Sequence, residues 1–290
     1  GLSGSVAVKT ANAMQLKARI KARAKELGVS PQLMMQDYLL ERLLERLSLS
    51  AWRESVILKG GMLIGSLVGV ESRVTKDLDT TISGFTLTHE SAEIAFREIC
   101  SVEVDDDISF EFLRTEDIRE TDDYPGIRVF LKANYAPMSV PLSVDVTTGD
   151  AITPAAVEYG YPLMFDERVI RVMAYPVETV MAEKLETVIS RGVANTRPRD
   201  YYDVYKLWMT RGETIDTAVL IRALGATCEK RGSAEAMRRY EEVMDEVLAD
   251  GQMAARWNVY TRNYSYARDV SLEQCCQTVR HIMELVSKLA

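Results

Sequence analysis

The hydrophobic and polar positions of this chain first predict a pair of helices. Residues 13–49 have helical periodicity in two segments, of which the first ends at Gly28 and the second begins with Ser30 as N-cap and Pro31 at its first position. The second segment repeats leucine at helical spacing, at Leu39, Leu40, Leu43, Leu44 and Leu47. We therefore expect two helices before any strand.

Between residues 55 and 150 the pattern changes to short runs that are typical of strands. These runs are "SVILKGG", "DLDTTIS", "ISFEFLR", "IRVFLKANY" and "VPLSVDVTTG", interrupted by one helix at about 88–101. After Pro176 the helical periodicity returns and continues to the last residue. This order predicts an α+β fold, with a mixed sheet and helices, N-terminal helices and a C-terminal helical lobe.

Length and composition narrow the class of protein. The 290 residues are 47% hydrophobic and 27% charged, as in ordinary globular domains. No apolar run reaches the roughly 18 residues of a membrane helix, and four cysteines without a CxxC pair indicate reduced thiols. We expect a cytoplasmic protein without a membrane partner. Its predicted parts are a tag remnant at 1–12, a core at 13–170 and a helical lobe at 171–290.

The charge of the chain is uneven. A net charge of −8 argues against a protein that coats nucleic acid non-specifically. The segment "LKARIKARAKELG" nevertheless carries five cations, which are Lys17, Arg19, Lys21, Arg23 and Lys25. Two interpretations stay open for it, a solvated helix face or a local nucleic-acid contact.

Three aspartates in the strand region suggest a metal site. Asp77 and Asp79 are one residue apart in a predicted strand and should point to the same face, and Asp145 lies on the polar face of "VPLSVDVTT". If the two strands are neighbours, the carboxylates repel one another unless a cation compensates, and oxygen ligands suit Mg²⁺. The alternative is three ordinary acids on a half-exposed sheet.

Gly60 and Gly61 stand where an apolar strand meets the next helix. Glycine lets a backbone approach a phosphate, and a helix N-terminus offers free N–H donors, although a glycine pair is also common in tight turns. Arg73 and Thr75 precede the acidic strand and are candidates for contacting phosphate or orienting the carboxylates.

The combination "LKGG…SRVTKDLDTTI" resembles the nucleotidyltransferase superfamily with the polymerase-β-type core. More narrowly, the chain resembles the AbiEii/AbiGii toxins of bacterial toxin–antitoxin and abortive-infection systems. The likeness continues through "YPGIRV", "DVTTGDAITP" and "YPVETVMAEKLETVISRGVANTRPRDYYDVYKL". It implies a nucleotidyltransferase that uses two Mg²⁺ ions and an NTP, a cognate antitoxin, a phage-defence role and RNA, in particular tRNA, as acceptor.

The helical half contains charged residues on an apolar stripe. Lys184 lies seven residues from Val177 and from Arg191, so both cations belong on or beside that stripe, where a lysine either reaches water or meets an anion. Asp200 and Asp203 follow at i, i+3, and Asp200 is also a candidate helix cap. The resemblance maps a "KxxxxxxR" motif onto the cations and a "DxxD" motif onto the acids.

Together these observations predict a nucleotidyltransferase toxin. Asp77, Asp79 and Asp145 would bind metal and catalyse the transfer. The further expected catalytic residues are Lys184 and Asp200; the expected nucleotide-binding residues are Gly60, Gly61, Arg73, Thr75, Lys184, Arg191 and Asp203. Two alternatives are a small-molecule nucleotidyltransferase of the antibiotic-inactivating type and a non-catalytic NTP-binding module.

Overall fold

A computed structural model describes residues 12–69, 73–118 and 124–290. The predicted tag remnant lies outside the described residues, except for its last position. The chain divides into two compact units. The first consists of Gly1–Ser66, Val74–Asp150 and Val157–Ala174; the second consists of Leu67–Arg73, Ala151–Ala156 and Tyr175–Ala290.

The N-terminal helical pair forms as the sequence predicts. Helix α1 is Ala13–Leu27 and helix α2 is Pro31–Leu49. Gly28 ends α1 in the left-handed region at φ 65°, and the Ser30 hydroxyl accepts a hydrogen bond from the Leu33 N–H at 3.0 Å. Helix α3, Gly60–Val68, and helix α4, His89–Ser101, follow.

The described strands form one mixed sheet. They are β1 Val56–Lys59, β2 Leu78–Ile82, β3 Ser109–Asp117, β4 Gly126–Tyr135, β5 Met138–Thr148, β6 Val157–Pro162 and β7 Val169–Ala174. Their order is β3-β4-β5-β2-β1-β7-β6. The pairs β2–β5 and β1–β7 are parallel and the other neighbours are antiparallel. The α+β prediction is therefore confirmed.

Strands β6 and β7 are absent from the sequence prediction, which placed no strand after residue 150. Burial along β7 alternates in the structure: Val169 is 51% exposed, whereas Ile170, Val172 and Ala174 are buried. The segment is short and directly precedes the helical half. Its pairing with β1 makes it an interior strand of the sheet.

Helix α2 buries charged side chains as well as its leucine stripe. Leu39, Leu40, Leu43, Leu44 and Leu47 are buried, and α2 packs on α1, β7, α4 and β5. The Arg46 guanidinium is 2% exposed and binds Asp106 through two hydrogen bonds of 2.8 Å. An acidic run at 105–107 would ordinarily be solvated, but the Asp106 side chain is only 7% exposed because it neutralises this arginine.

The second unit is helical. Its helices are α5 Val177–Arg191, α6 Pro198–Arg211, α7 Thr217–Arg231, α8 Ala234–Met237, α9 Tyr240–Ala249, α10 Gly251–Asn263 and α11 Leu272–Leu289. Helix α11 begins with a capping box between Ser271 and Gln274 and packs on α6, α7 and α9. Among the described residues, no helix combines the length and the apolar character needed to span a membrane.

Candidate active site

The glycine pair lies at the turn from β1 into α3, and its lack of side chains makes room for two polar residues. Gly60 has φ +70°, and a Cβ there would overlap the Asp79 carboxylate. A Cβ at Gly61 would lie 2.9 Å from the Thr75 hydroxyl. Since a real Cβ does not tolerate such contacts, glycine at both positions lets Asp79 and Thr75 lie directly against the first turn of α3.

The segment before β2 is organised by Thr75. The Asp77 N–H donates to the Thr75 hydroxyl at 3.2 Å, and the Thr75 N–H donates to Asp37 at 3.3 Å. Thr75 is buried, and Asp77 and Asp79 are half-buried. The strand prediction was wrong for Asp77, because β2 begins at Leu78. Alternation along a strand therefore fixes the direction of Asp79 but not that of Asp77.

Two aspartates and two cations stand in one row across four strands. Asp79 on β2 is in register with Asp145 on the parallel strand β5 and with Lys59 on β1, and Asp145 is in register with Arg128 on β4. Neighbouring strands are about 4.8 Å apart, so residues in register on the same side of the sheet are adjacent. The row reads lysine, aspartate, aspartate, arginine. The flanking cations offset part of the repulsion between the carboxylates.

The Arg128 guanidinium binds both oxygens of the Asp145 carboxylate. The Arg128 Nε lies 2.7 Å from Asp145 Oδ1 and its Nη2 lies 3.1 Å from Oδ2. A bidentate pair of this kind fixes the orientation of the carboxylate plane. Sequence analysis did not identify Arg128, although it lies in the "YPGIRV" segment that carries part of the family resemblance. Its partner became visible only with the register of β4 and β5.

Lys59 and Asp150 form a second pair that sequence analysis missed. The Lys59 ammonium donates to Asp150 at 2.6 Å and to the Thr147 hydroxyl at 2.8 Å, and the Asp150 side chain is 1% exposed. Lys59 also lies 5.4 Å from the centre of the Tyr124 ring. Asp150 follows Gly149 and looks like a turn residue in the sequence. In the structure it anchors the lysine that precedes the glycine pair.

The donor atoms in the row suit a hard divalent cation. Asp79 and Asp145 supply carboxylate oxygens from adjacent strands, which is the ligand type that Mg²⁺ prefers. Within the described part of the chain, no cluster of three or more His, Cys, Asp or Glu side chains is gathered in a metal-binding arrangement. Asp79 and Asp145 therefore offer two in-register carboxylates to a cation, and Arg128 also holds the second of them.

In the second unit, Lys184 lies between two buried aspartates. Its ammonium is 2.7 Å from Asp200 Oδ1 and 3.0 Å from Asp203 Oδ2. The side chain of Lys184 is 18% exposed, whereas those of Asp200 and Asp203 are 4% and 0% exposed. The lysine on the apolar stripe thus has anionic partners inside the protein. Two contacts use two of its three N–H donors.

The same aspartates bind further cations. Arg73 is buried and donates to Asp203 from its Nε at 2.9 Å, and Arg197 lies 3.5 Å from Asp200. Positive and negative groups therefore alternate from Arg73 to Arg197. Asp200 is the third residue of α6 rather than its N-cap, which is Arg197. The "DxxD" spacing places both carboxylates on the side of α6 that meets α5 and Arg73.

The charges of this network set the pKa values of its members. Burial by itself would raise the pKa of Asp200, but Lys184 and Arg197 outweigh burial and hold that pKa well below its ordinary value of 3.8. The pKa of Asp203 is also lowered, since Arg73 and Lys184 act against burial there. Both carboxylates are therefore ionised at neutral pH.

Arg191 lies at the C-terminal end of α5, at a distance from Lys184. Seven residues of helix separate them, which corresponds to about 10 Å along the axis. Arg191 is half-buried and lines a small cavity of about 150 Å³ with Gly192, Val243 and Arg239. The two cations of the "KxxxxxxR" motif thus share a helix, but they do not lie at the same point along it.

Residues 42–282 match the family model of the AbiEii nucleotidyltransferase toxins, which belong to type IV toxin–antitoxin systems. This range contains the glycine turn, the row of charges and the Lys184 network. The chain belongs to the AbiEii family. The resemblance predicted from the motifs is confirmed.

Solved structures show the same fold. One of them is a Helicobacter pylori protein provisionally assigned as a nucleotidyltransferase. It superposes on this AbiEii-family chain with a TM-score of 0.52 and 14% sequence identity, and the match covers 90% of this chain and 97% of the Helicobacter protein. The protein JHP933 from Helicobacter pylori superposes with a TM-score of 0.51 and 14% sequence identity, and the match covers 90% of this chain and 94% of JHP933. No curated protein sequence matches the chain.

Membership of the AbiEii family makes this protein a nucleotidyltransferase and the toxin of a type IV toxin–antitoxin pair. The predicted enzyme class is confirmed. An NTP is its substrate and an antitoxin is its genetic partner. The seven-stranded sheet is consistent with the polymerase-β-like core that the resemblance implied.

Proposed function

We propose that this AbiEii-family toxin transfers a nucleoside monophosphate from an NTP to RNA, with tRNA as acceptor, in a Mg²⁺-dependent reaction. The activity would act in the cytoplasm, where both substrates are found, and would serve abortive infection. The observation that carries the proposal is the pair Asp79 and Asp145, in register on adjacent parallel strands, with Asp79 against the glycine turn.

The glycine turn supports binding of the triphosphate. Gly60 and Gly61 open α3 without side chains, so their backbone can approach phosphate oxygens, and the first N–H groups of the helix point toward an anion. In this proposal Thr75 acts by holding the turn, through its contact with the Asp77 N–H.

The carboxylates support the metal requirement and the chemistry. In this proposal Asp79 and Asp145, together with Asp77, would hold Mg²⁺, and the ion would supply positive charge to offset the triphosphate and to favour deprotonation of the acceptor hydroxyl. Asp145 would orient the hydroxyl of the acceptor and accept its proton. The acceptor oxygen then attacks the α-phosphorus in line, the new P–O bond forms, and the bond to the β-phosphate oxygen breaks to release pyrophosphate.

Lys184 and Arg191 would bind phosphate oxygens of the NTP. Lys184 keeps one N–H donor beyond the two that contact Asp200 and Asp203, so it can bind an anion without leaving the aspartates. Asp200 and Asp203 would then act through Lys184, by fixing the position of its ammonium. Arg73 is proposed to contribute in the same indirect way, because it binds Asp203.

The test is incubation of the purified protein with total RNA, Mg²⁺ and each α-labelled NTP in turn. We expect a labelled product of tRNA size with at least one NTP. Asp79→Asn and Asp145→Asn should each lower its rate by about a hundredfold or more, because each removes a charge that the transition state requires. The exposed Asp105, changed to asparagine, serves as a matched control.

Two results would contradict the proposal. One is a wild-type protein that labels no RNA with any NTP while it does label a small-molecule acceptor. The other is a reaction that is as fast in EDTA as in Mg²⁺, because the carboxylate pair would then have no cation to hold.

A further inference from the structure

The α1 helix carries a row of lysines to which the nucleotidyl transfer reaction assigns no role. Lys17, Lys21 and Lys25 are spaced by four residues and are all exposed. A spacing of four residues brings successive lysines to one side of the helix, about 6 Å apart along its axis. Among the described residues, none of the three has a carboxylate partner within ion-pair distance.

The remaining cations of α1 are already engaged elsewhere. Arg19 is half-buried with its guanidinium 4.6 Å from the centre of the Phe165 ring, and Arg23 donates to Glu26 at 3.0 Å. Arg19 therefore contacts Phe165 and Arg23 is paired within α1, whereas the three lysines are exposed. The five basic residues that look equivalent in the sequence divide into two groups with different environments.

Beside the lysine row lies a groove of about 500 Å³. Lys17 and Lys21 line it, and the other lining residues are Ile20, Pro31, Gln32, Met35 and the β5 segment 138–141. The groove is mainly apolar, with the Gln32 amide able both to donate and to accept hydrogen bonds. It is large enough for a nucleotide-sized group, and its charged lining residues are both lysines on a protein whose net charge is −8.

Strand β5 connects this groove to the carboxylate row. Pro141, Ser143 and Asp145 alternate with buried residues and so share one face of the sheet, on which Pro141 is exposed and the other two are half-buried. Pro141 and Asp145 are about 13 Å apart along an extended strand. A polymer held at the groove could therefore extend along this face and bring its end to Asp145.

We infer that the lysine row and the groove beside it bind the backbone of the RNA acceptor. The repeated positive charge matches a repeating phosphate chain, the apolar floor suits sugars and bases, and the strand leads to the proposed site of transfer. This inference rests on the proposed function, since it names where that acceptor binds. An acidic peptide matches the evenly spaced lysines less well than RNA, because negative charges recur at every nucleotide of RNA but need not recur regularly along a peptide.

The test compares tRNA binding by the wild type and by the triple variant Lys17→Gln, Lys21→Gln, Lys25→Gln. Lysine contacts to phosphate release counterions, so the variant should bind labelled tRNA at least about tenfold more weakly. Its affinity should also depend less steeply on salt, by about 2–3 in log–log slope. A control triple variant, Lys230→Gln, Arg262→Gln, Lys288→Gln, removes the same charge from exposed positions of the second unit.

A second variant tests the groove without removing the lysines. Gln32→Glu keeps the shape of the side chain and places an anion near the N-terminus of α2, where it is tolerated electrostatically. We expect weaker tRNA binding with an unchanged melting temperature. In the transfer reaction, both groove variants should raise the KM for tRNA and leave the KM for NTP and kcat unchanged.

The outcomes separate this inference from the proposed function. If the wild type labels tRNA and the lysine variant binds it as the wild type does, the inference is wrong and the proposed function stands. If the lysine row binds tRNA but no NTP labels it, the proposed function is wrong and the binding surface stands. Three results would overturn the inference. The control variant could lose as much tRNA binding as the lysine variant, or the wild type could fail to bind tRNA. The lysine variant could also lose binding to an acidic peptide while it still binds tRNA as the wild type does.

Discussion

At the scale of single residues, the candidate site is built from close contacts between charged groups and the backbone. Gly60 admits the Asp79 carboxylate, Arg128 holds Asp145, and Lys184 lies between two buried aspartates. Each arrangement brings charge into a partly buried place, which is costly unless the charge is paired. Substitutions at these positions should therefore have effects larger than their volume changes suggest.

Gly60→Ala should abolish transfer. The new Cβ would overlap the Asp79 carboxylate and would also force alanine into the left-handed backbone region, at a cost of about 1–2 kcal/mol. Gly232→Ala is the matched control, because Gly232 has φ +68° with no atom near its would-be Cβ. We expect a larger loss of stability in Gly60→Ala, because the overlap with Asp79 adds to the backbone strain that both variants share, and a loss of transfer rate only in Gly60→Ala. Full activity in Gly60→Ala would show that Asp79 need not lie against the turn.

Lys184→Met should destabilise the second unit as well as remove activity. Asp200 and Asp203 would keep their buried charges with fewer cations, and breaking a buried pair typically costs about 3–5 kcal/mol. Adding Asp200→Asn should recover part of that loss, which urea denaturation of the single and double variants measures as a coupling energy. Additive effects of the two substitutions would contradict this account of the network.

At the scale of secondary-structure elements, α2 is the helix whose behaviour is least expected from its sequence. Its leucines form the predicted stripe, yet Glu41, Arg42, Glu45 and Arg46 are buried as well. Arg42 compensates Glu41 and Glu45, Arg46 binds Asp106, and Glu41 accepts a hydrogen bond from the Met164 N–H. The helix therefore forms part of the core with a polar side that is satisfied by neighbours.

The free energy of unfolding should fall as pH rises toward 8, and Glu41 should be a cause. Burial raises the pKa of Glu41 to about 8, despite the opposing charge of Arg42, from an ordinary value of 4.5. Between these values the folded protein holds a proton that the unfolded chain has lost, so raising pH favours unfolding. Glu41→Gln should flatten the dependence in urea denaturation across this range. The exposed Glu54, changed to glutamine, should leave it unaltered.

At the scale of the whole molecule, the chain is an α+β nucleotidyltransferase whose sheet belongs to the first unit and whose second unit is helical. The sheet supplies the carboxylate row and the helices supply the Lys184 network. In the proposed function, Mg²⁺ and an NTP bind the folded protein and not the unfolded chain. Ligand binding should therefore be visible in the stability of the complete protein.

Mg²⁺ and an NTP together should raise the melting temperature. A ligand that binds only the folded protein adds about 2.7 kcal/mol to its stability at a hundred times its Kd. Asp79→Asn should reduce the part of the shift that depends on Mg²⁺, whereas Asp105→Asn should not. Differential scanning fluorimetry with each ligand alone and both together measures this, and an unchanged melting temperature with every NTP would count against the proposed site.

The sequence by itself determined those features that depend on neighbouring residues. The helical pair, its cap at Ser30, its end at Gly28 and the glycine turn at Gly60 follow from periodicity and backbone preferences, which act over a few positions. The motifs also selected the family and the candidate residues, since motif spacing is itself a local property of the chain. Lys184, Asp200 and Asp203 were candidates before any contact between them was known.

Only the tertiary structure decided which groups meet. The pairing of β2 with β5 joins segments 66 residues apart, as in Asp79 with Asp145, and no local preference specifies that register. The partners of Asp145, Lys59 and Lys184 could likewise not be predicted, because an ion pair between distant residues produces no periodic pattern in the sequence. Strand β7 and the charged side of α2 are buried by elements distant in the chain. Burial of that kind depends on how distant elements pack together, so it cannot be read from the local sequence.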